Sequence, residues 1–223
     1  MKHIVIDLEM NPISERPEIS GICAQEIIEI GAVMLDDEFQ EISSFRTYVK
    51  PRYNDGIQDN ITKLTGITND TVENAPYFNE AAGMFAQWCM GTGSDIKIYA
   101  WSESDYSQMI REMALKRYAV SENEAVVFGN KWTDFQNEFD AGIGFGKCTS
   151  LKSALEMAGI DFSGRQHDAL DDARNTADLF RVFRGRRDAD CRLTMIEEVM
   201  KPPEFVNSIG SLVDFSKLGI LEQ

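Results

Sequence analysis

KHIVIDLE, residues 2–9, sets the architecture of the whole chain because it is an apolar strand that ends in two acids. Its Ile-Val-Ile centre is typical of a strand that is buried on both faces. Side chains alternate along a strand, so Asp7 and Glu9 emerge on the same face. Either the strand frays into solvent at this end, or the two carboxylates belong to a functional site.

The segments that follow predict a layered α/β fold. QEIIEIGAVMLD (25–36) and ISSFRTYVK (42–50) are predicted strands joined as a hairpin, DIKIYAW (95–101) is a fourth strand and AVVF (125–128) a short fifth. Helical turns broken at Gly66 should follow the hairpin, and longer helices are expected at about 79–90, 102–118, 134–139, 151–158 and 168–184. Three strands first, and then strands alternating with helices, indicate a mixed five-stranded sheet flanked by helices.

Length and composition indicate one soluble domain with an appendage. Of 223 residues, 43% are hydrophobic and 26% are charged, so a sizeable core can form. We expect a domain over residues 1–187 and a helical appendage over 188–223. The chain has no apolar run of about 18 residues and no signal-like start, so we expect no membrane partner. The four cysteines are scattered, which argues against a zinc site and favours reduced thiols in the cytoplasm.

The net charge of −15 argues against a protein that coats long nucleic acid, because such binding needs Lys and Arg to neutralise many phosphates. It does not argue against a phosphate-cleaving site, since divalent cations can stand between carboxylates and a phosphate. The charge therefore excludes a broad basic surface and leaves a compact, cation-dependent site open.

A third acid follows the fourth predicted strand. Asp105 lies in WSESD (101–105), where its spacing from Ser102 is also that of an ordinary helix cap. In open α/β sheets, ligands bind in the crevice beyond the strand ends. Asp7, Glu9 and Asp105 are therefore expected at one edge of the sheet.

The stretch RQHDALDDARNTADLF holds His167, one of two histidines, at the start of a predicted helix. Asp168 and Asp171 fit an ordinary helix start, as N-cap and third-position acid. At about 100° per residue, Asp171 shares the polar face with Asn175. Asp172 falls beside the apolar stripe, where an ordinary helix has no use for a carboxylate.

If these acids converge, they need a counter-charge. Two carboxylates about 4 Å apart repel by roughly 4 kcal/mol at an effective dielectric near 20. Hard divalent ions with oxygen ligands, Mg²⁺ or Mn²⁺, would relieve that repulsion, and a pair of them could clamp a phosphodiester. Histidine ordinarily titrates near pH 6.5, so His167 would suit the deprotonation of an attacking water.

The three motifs resemble those of the DEDDh family of 3′→5′ exonucleases. IDLE (6–9), WSESD and HDALDDA (167–173) match the family's motifs in order and spacing, and the resemblance covers residues 2 to about 185. It implies an RNase H-like fold and hydrolysis of phosphodiesters at single-stranded 3′ ends, with release of nucleoside 5′-monophosphates.

The resemblance also implies a role for each acid. Asp7, Glu9 and Asp172 would bind one metal ion, with Asp7 shared with a second ion. Asp105 would act through water, and His167 would be the general base. The expected cofactors are thus two divalent cations.

Further stretches are similar to the exonucleases that trim histone mRNA and small RNAs, and to KapD-like bacterial relatives. KLTGIT (63–68) and GRQHDALDDARNTA (164–177) carry this likeness. It favours RNA over DNA and implies that Met10, Gly66 and Ile67 grip the terminal bases. Met10 itself departs from the wider family, as does Thr65, which leaves the base contacts open and the metal site intact.

Other side chains are candidates for the nucleic-acid strand. Aromatic rings can stack on bases, and burial in the core is the alternative for each of Trp101, Tyr106 and Trp132. Basic side chains can guide the backbone or remain ordinary surface charges; the candidates are Lys147, Lys152, Arg165, Arg184, Arg186 and Arg187.

The sequence also bears on three competing functions. AGIGFGKCTS (141–150) has one residue too few for a P-loop and lacks the Rossmann glycine spacing, so nucleotide binding there is discounted. A non-catalytic module that binds a nucleic-acid end or a protein, and a phosphoesterase for small nucleotides, both remain open. Labelled oligonucleotides would separate these from an exonuclease.

Overall fold

A mixed sheet of five strands organises the part of the chain that the structure describes. The computed structural model describes residues 1–13, 16–91, 93–144 and 148–185. The strand order is β3-β2-β1-β4-β5, with β2 antiparallel to its neighbours and β4 parallel to both β1 and β5. The strands are β1 (Lys2–Pro12), β2 (Gln25–Leu35), β3 (Glu41–Tyr48), β4 (Ile96–Ala100) and β5 (Thr133–Asp134). The predicted mixed sheet and the β2–β3 hairpin are confirmed.

Helices cover both faces of this sheet. They are α1 (Pro17–Ser20), α2 (Asp59–Thr65), α3 (Asn69–Val72), α4 (Phe78–Met90), α5 (Glu103–Lys116), α6 (Ala125–Phe128), α7 (Phe135–Ile143), α8 (Leu151–Met157) and α9 (Ala169–Gly185). Gly66 ends α2 with a left-handed φ of 74°, where the sequence predicts a break. Within the described residues, no helix combines the length and the apolar character that crossing a membrane requires.

Strand alternation in β1 divides the interior into two cores. Ile4 and Ile6 pack in one core with Phe85 of α4 and Met109 of α5. Val5 points the other way, into a core that includes Phe180 of α9. The described part of the chain therefore has three layers, and the face of β1 that carries Asp7 and Glu9 is the one that α9 covers.

AVVF is not the fifth strand, and this prediction is wrong. The segment forms the short helix α6, because Ser121 and Glu124 exchange hydrogen bonds in the manner of a capping box just before it. Val127 and Phe128 are apolar because this helical turn is buried. The fifth strand is Thr133–Asp134, which pairs with the end of β4.

Two further predictions concern Asn175 and the C-terminal residues. Asn175 was expected on the polar face of the last helix, but it is 1% exposed and lies inside the molecule. The helical appendage predicted over residues 188–223 lies outside the described residues.

A buried ion-pair network ties α5 to the start of β2. The Lys116 ammonium lies 2.8 Å from a Glu26 carboxylate oxygen and 2.6 Å from one of Glu112. Glu26 also accepts hydrogen bonds from the backbone N–H groups of Arg52 and Tyr53. All three charged side chains are almost fully buried, so the network fixes the loop after β3 against the sheet.

β1 continues beyond the strand beside it, and this opens the crevice that holds the site. β1 pairs with β4 only over Lys2–Ile6, whereas its pairing with β2 continues to Pro12. From Asp7 onward, no strand of the described residues lies on the β4 side of β1. The acids of β1 therefore lie at the sheet edge where ligands bind in open α/β folds.

Candidate active site

Asp105 fills the place that β4 leaves beside β1. The chain turns after β4, Ser102 caps the N-terminus of α5, and Asp105 follows in its first turn. A carboxylate oxygen of Asp105 accepts a hydrogen bond from the backbone N–H of Leu8 at 3.2 Å. Asp105 is 5% exposed. It is therefore an inward-facing acid, although its spacing from Ser102 is also that of an ordinary helix cap.

Gly31 allows α9 to reach the acids of β1. It lies opposite Asp7 in the β1–β2 register. A Cβ at Gly31 would meet the backbone of Ala169 and Leu170 at 2.2 Å, so only glycine permits this contact. Ala169 and Ala173 are fully buried on the face of α9 turned toward the sheet. This close approach brings Asp172 next to the strand that bears Asp7 and Glu9.

A chain of charges anchors the start of α9. Glu29 lies opposite Glu9 in the register and accepts a hydrogen bond from the N–H of Ala169 at 3.3 Å. Arg46 lies 2.6 Å from Glu29 through Nε and 2.6 Å from the Asp168 carboxylate through Nη2. Asp168 accepts in turn from the N–H of Asp171, as an N-cap does.

Side chains of α9 hold the loop that carries His167. Asp171 accepts from the backbone N–H of Arg165, and Asp172 accepts from that of His167 at 2.9 Å. Asn175 bonds both the N–H and the carbonyl oxygen of Ser163. His167 has a φ of 62°, the left-handed region that non-glycine residues adopt rarely and often at functional sites. Its side chain is exposed.

The five predicted catalytic residues meet at one cavity of about 460 Å³. One ligand atom each of Glu9, His167 and Asp172 lies within 4.8 Å of the others. Asp7 and Asp105 are in the wall of the same cavity. The other lining residues are Leu8, Met10, Trp101, Ser102, Ser104, Ser150, Leu151, Lys152, Phe162 and Gln166.

The acids hold their protons more tightly than ordinary carboxyls. Burial raises the pKa of Glu9 to about 8, and the Asp172 and Glu29 carboxylates add to that shift. Burial raises the pKa of Asp105 to about 7, against the opposing effect of its hydrogen bonds. Burial, followed by repulsion from Asp105 and Asp172, raises the pKa of Asp7 well above its ordinary value.

Asp172 and Glu29 extend the same pattern. Burial raises the pKa of Asp172 to about 6, although the N–H of His167 favours the ionised form. Burial raises the pKa of Glu29 to about 7, although Arg46 acts in the opposite direction. Carboxylates packed this closely ionise together only if cations join them. The oxygen-rich donor set suits hard divalent ions.

The chain's family follows from comparison with known proteins. The family model RNase_T, described as Exonuclease, matches residues 4–180. The chain belongs to this exonuclease family.

Two named relatives are exoribonucleases. Human ERI1 exoribonuclease 2 is 32% identical in an alignment 174 residues long that covers 69% of this chain and 24% of that protein. Mouse 3′-5′ exoribonuclease 1 is 28% identical over 177 residues, 78% of this chain and 50% of that protein. The chain thus spans at most 50% of the length of these two curated relatives.

Solved structures of exonucleases confirm the RNase H-like fold. The nuclease domain of 3′hExo, a DEDDh family member bound to rAMP, is 26% identical with a TM-score of 0.67, over 81% of this chain and 90% of that chain. A 3′-exonuclease in a structure on 3′-end specific recognition of a histone mRNA stem-loop gives a TM-score of 0.71 at 24% identity, over 82% and 64% of the two chains.

The exonuclease's predicted substrate contacts are divided between two places. Met10 and Trp101 line the cavity. Gly66 and Ile67 are not among its lining residues. Ile67 is 2% exposed in a small core cluster with Ile28, and Gly66 lies beneath the guanidinium of Arg165, which also donates to the carbonyl of Leu64.

The remaining candidates for strand contact are placed as follows. Trp132 is buried and donates to the carbonyl of Val127, and the ring of Tyr106 packs against it, so both are structural. Lys152 lines the cavity, whereas Arg184 pairs with Glu138. Lys147, Arg186 and Arg187 lie outside the described residues.

Sequence reasoning missed Glu29, Gly31 and Arg46. Glu29 interrupts the apolar run of β2, which is the same anomaly that singles out Asp7 and Glu9 in β1. Gly31 stands two positions later, and a glycine inside a strand often marks a close backbone approach. Arg46 has no comparable signal, because only its contacts distinguish it from other surface arginines.

Proposed function

We propose that this chain is a metal-dependent 3′→5′ exonuclease acting on single-stranded nucleic-acid 3′ ends, with RNA favoured over DNA. Water adds to the phosphorus of the last phosphodiester, the P–O3′ bond breaks, and a nucleoside 5′-monophosphate leaves. The shortened strand keeps a 3′-hydroxyl. The observation that carries this proposal is the convergence of Asp7, Glu9, Asp105, His167 and Asp172 on one cavity.

Two divalent cations, Mg²⁺ or Mn²⁺, are the cofactors we propose for the acids. When bound, such ions neutralise phosphate charge and polarise the scissile bond. Asp7, Glu9, Asp105 and Asp172 would hold them, with the buried Asp105 kept in place by the N–H of Leu8. The raised pKa values support this proposal, because Lys152 is the only lysine or arginine among the described residues that line the cavity with these acids.

His167 would take the proton from the attacking water. Its side chain is exposed, lines the cavity and lies in the same ligand cluster as Glu9 and Asp172. Asp172 accepts from the His167 backbone N–H, which leaves the imidazole free to face the water. A positioned general base typically contributes about 10²–10⁴-fold to the rate.

Met10 and Trp101 are the substrate contacts that the cavity supports best. Both line the cavity, and the buried Nε1–H of Trp101 has no hydrogen-bond partner among the described residues. Gly66 and Ile67 stay predictions that require the strand to extend past the cavity. The preference for RNA rests on the exoribonuclease relatives, and a cytoplasmic location rests on the scattered cysteines.

Single-stranded RNA labelled at the 5′ or the 3′ end tests the proposal. With Mg²⁺ or Mn²⁺, the 5′-labelled strand should shorten one nucleotide at a time, and the 3′ label should leave at once as a mononucleotide. Asp172→Asn should abolish turnover. Asp178→Asn is the matched control, because Asp178 is on the same helix in an exposed pair with Arg181. Binding without turnover by the wild type would instead support a non-catalytic module.

A further inference from the structure

We infer that Arg46 is a positioning residue for the reaction, because it holds the start of α9 against the sheet and so aims His167 and Asp172 at the cavity. The inference rests on the proposed function and adds to it a residue that is not among the described residues lining the cavity. It is carried by the contacts of Arg46 with two acids from different segments, Glu29 and Asp168.

A row of paired residues leads from the cavity to Arg46. Glu9 of β1 lies opposite Glu29 of β2, and Glu29 lies opposite Tyr48 of β3. Residues that are directly opposite in antiparallel strands project from the same face of the sheet. Arg46 precedes Tyr48 by two residues, so its side chain emerges on that face as well. Arg46 therefore stands on the face of the sheet that α9 covers.

The guanidinium of Arg46 joins three segments of the chain. Its Nε lies 2.6 Å from a Glu29 carboxylate oxygen, and its Nη2 lies 2.6 Å from one of Asp168. Nη2 also donates a hydrogen bond to the hydroxyl of Tyr48 at 2.8 Å, and the guanidinium lies over that ring. The fixed fork of donors in arginine suits contacts with several acceptors in different directions. Arg46 thus connects β2 and β3 to the residue that caps α9.

These ion pairs differ from ordinary surface pairs because their acids are largely buried. The side chain of Glu29 is 1% exposed and that of Asp168 is 15% exposed. Exposed pairs contribute little because water screens them, whereas a buried carboxylate that loses its cation is strongly destabilised. Glu29 also accepts a hydrogen bond from the N–H of Ala169, the first residue of α9. Both acids that Arg46 contacts therefore bind the first turn of α9.

The same turn determines where the two reacting side chains lie. Asp168 directly follows His167, and its carbonyl oxygen accepts a hydrogen bond from the N–H of Asp172 at 2.9 Å. The carboxylate of Asp172 accepts in turn from the N–H of His167. A shift of Asp168 therefore moves both side chains together. A displacement of about 1 Å in a catalytic group can cost about 10²-fold in rate.

Steady-state cleavage of 5′-labelled single-stranded RNA by the full chain at constant Mg²⁺ tests the inference. We expect Arg46→Met to lower kcat by about 10- to 100-fold, because the catalytic groups are misplaced. KM should change by less than about threefold, since the lost interaction is not with the substrate. A raised KM with an unchanged kcat would make Arg46 a substrate-binding cation and would overturn the inference.

A conservative variant and a matched control separate positioning from general stability. Arg46→Lys should be at least about threefold faster than Arg46→Met, because the positive charge remains, although lysine lacks the fork of donors. Lys116 shows that one ammonium can contact two carboxylates. Arg174→Met is the control, because Arg174 also joins α9 to β3, through an exposed pair with Glu41. Its kcat should change by less than about twofold. Equal losses in the two methionine variants, or no recovery with lysine, would contradict the inference.

Amide hydrogen exchange provides a measurement that does not depend on activity. In Arg46→Met, the amides of Ala169 and Asp171 should exchange faster, because their acceptors Glu29 and Asp168 are released. The amides of α5 should keep their wild-type rates. Faster exchange throughout the sheet would make Arg46 a residue of general stability and would overturn the inference. If the wild type cuts no RNA, the proposed function fails, and exchange at Ala169 and Asp171 still decides whether Arg46 holds the start of α9.

Discussion

His167 combines a chemical role with an unusual backbone. Its φ of 62° suits asparagine better than alanine, because a short polar side chain tolerates the left-handed region. We therefore expect His167→Asn to keep the loop and to lower kcat by about 10²–10⁴-fold, the usual cost of losing a general base. Single-turnover cleavage of labelled RNA measures this effect.

The stabilisation of His167→Asn by Mg²⁺ supplies the control. Thermal unfolding with and without Mg²⁺ should show nearly the wild-type rise in Tm, because the carboxylates are intact. Asp172→Asn should lose most of that rise. Wild-type turnover in His167→Asn would remove this histidine from the reaction.

Sequence reasoning could single out the acids of the site because each breaks a local rule. Asp7 and Glu9 end an apolar strand, and Asp172 interrupts an apolar stripe. The prediction for Asn175 was wrong because a helix wheel shows only which residues share a face of the helix. It does not show which other segment packs against that face. The loop at Ser163 folds back over that face and buries it.

At the level of secondary structure, Gly31 controls the distance between β2 and α9. Gly31→Ala would place a Cβ 2.2 Å from backbone atoms that cannot rotate away, so α9 must shift. Because α9 carries Asp172 and follows His167, we expect at least a tenfold loss of kcat and a destabilisation of about 1–3 kcal/mol. Steady-state kinetics and urea unfolding measure the two effects.

A second glycine tests whether this effect is specific. Gly185 ends α9, and a Cβ there would meet no atom of the described residues within 4 Å. Gly185→Ala should therefore be neutral or slightly stabilising, as alanine generally is in helices. Equal losses in both variants would mean that the strand–helix approach at Gly31 does not matter.

The buried network between α5 and β2 predicts a stability effect without a catalytic one. Lys116→Met would leave Glu26 and Glu112 buried without their cation, which costs about 3–5 kcal/mol when one partner of a buried ion pair is removed. Urea unfolding measures the loss. Lys131→Met, which removes an exposed pair with Glu103, should change stability little. A small effect for Lys116→Met would show that the network contributes little.

Strands and helices were predictable to different degrees for a physical reason. Long elements such as β2 and α5 show their period over many residues. The four residues of AVVF are too short to show any period, and their apolar character reports burial alone. The capping pair Ser121 and Glu124 was the signal that favours a helix there. The two-residue strand β5 exists only through its pairing with β4.

On the scale of the whole molecule, the acid cluster makes stability depend on pH and on divalent ions. The pKa values of Glu9, Asp105 and Asp172 in the folded protein, about 8, 7 and 6, exceed ordinary carboxyl values near 4. Between about pH 4 and 8 the folded state therefore binds more protons than the unfolded chain. The free energy of unfolding without divalent ions must fall as pH rises through this interval.

Melting curves in EDTA from pH 5.5 to 8.5 test this expectation. A loss of about 2 kcal/mol would lower Tm by roughly 4–8 °C in a chain of this size. Saturating Mg²⁺ should restore most of the loss at pH 8.5, because the ions bind only the ionised, folded site. Glu9→Gln should make Tm in EDTA depend less on pH. If Tm of Glu9→Gln depends on pH as strongly as that of the wild type, Glu9 is not a source of the pH dependence.

The hydrogen bond from the His167 amide to the Asp172 carboxylate also has a consequence for how the chain tolerates change. The bond closes a loop of the chain that contains Asp168, the residue that caps α9. The segment from His167 to Asp172 therefore behaves as one rigid unit. A residue inserted between His167 and Asp172 would break this hydrogen bond and remove the cap of the helix. It would also displace the side chains of both residues. We therefore expect an insertion between His167 and Asp172 to cost more activity than an insertion of the same length elsewhere in the preceding loop.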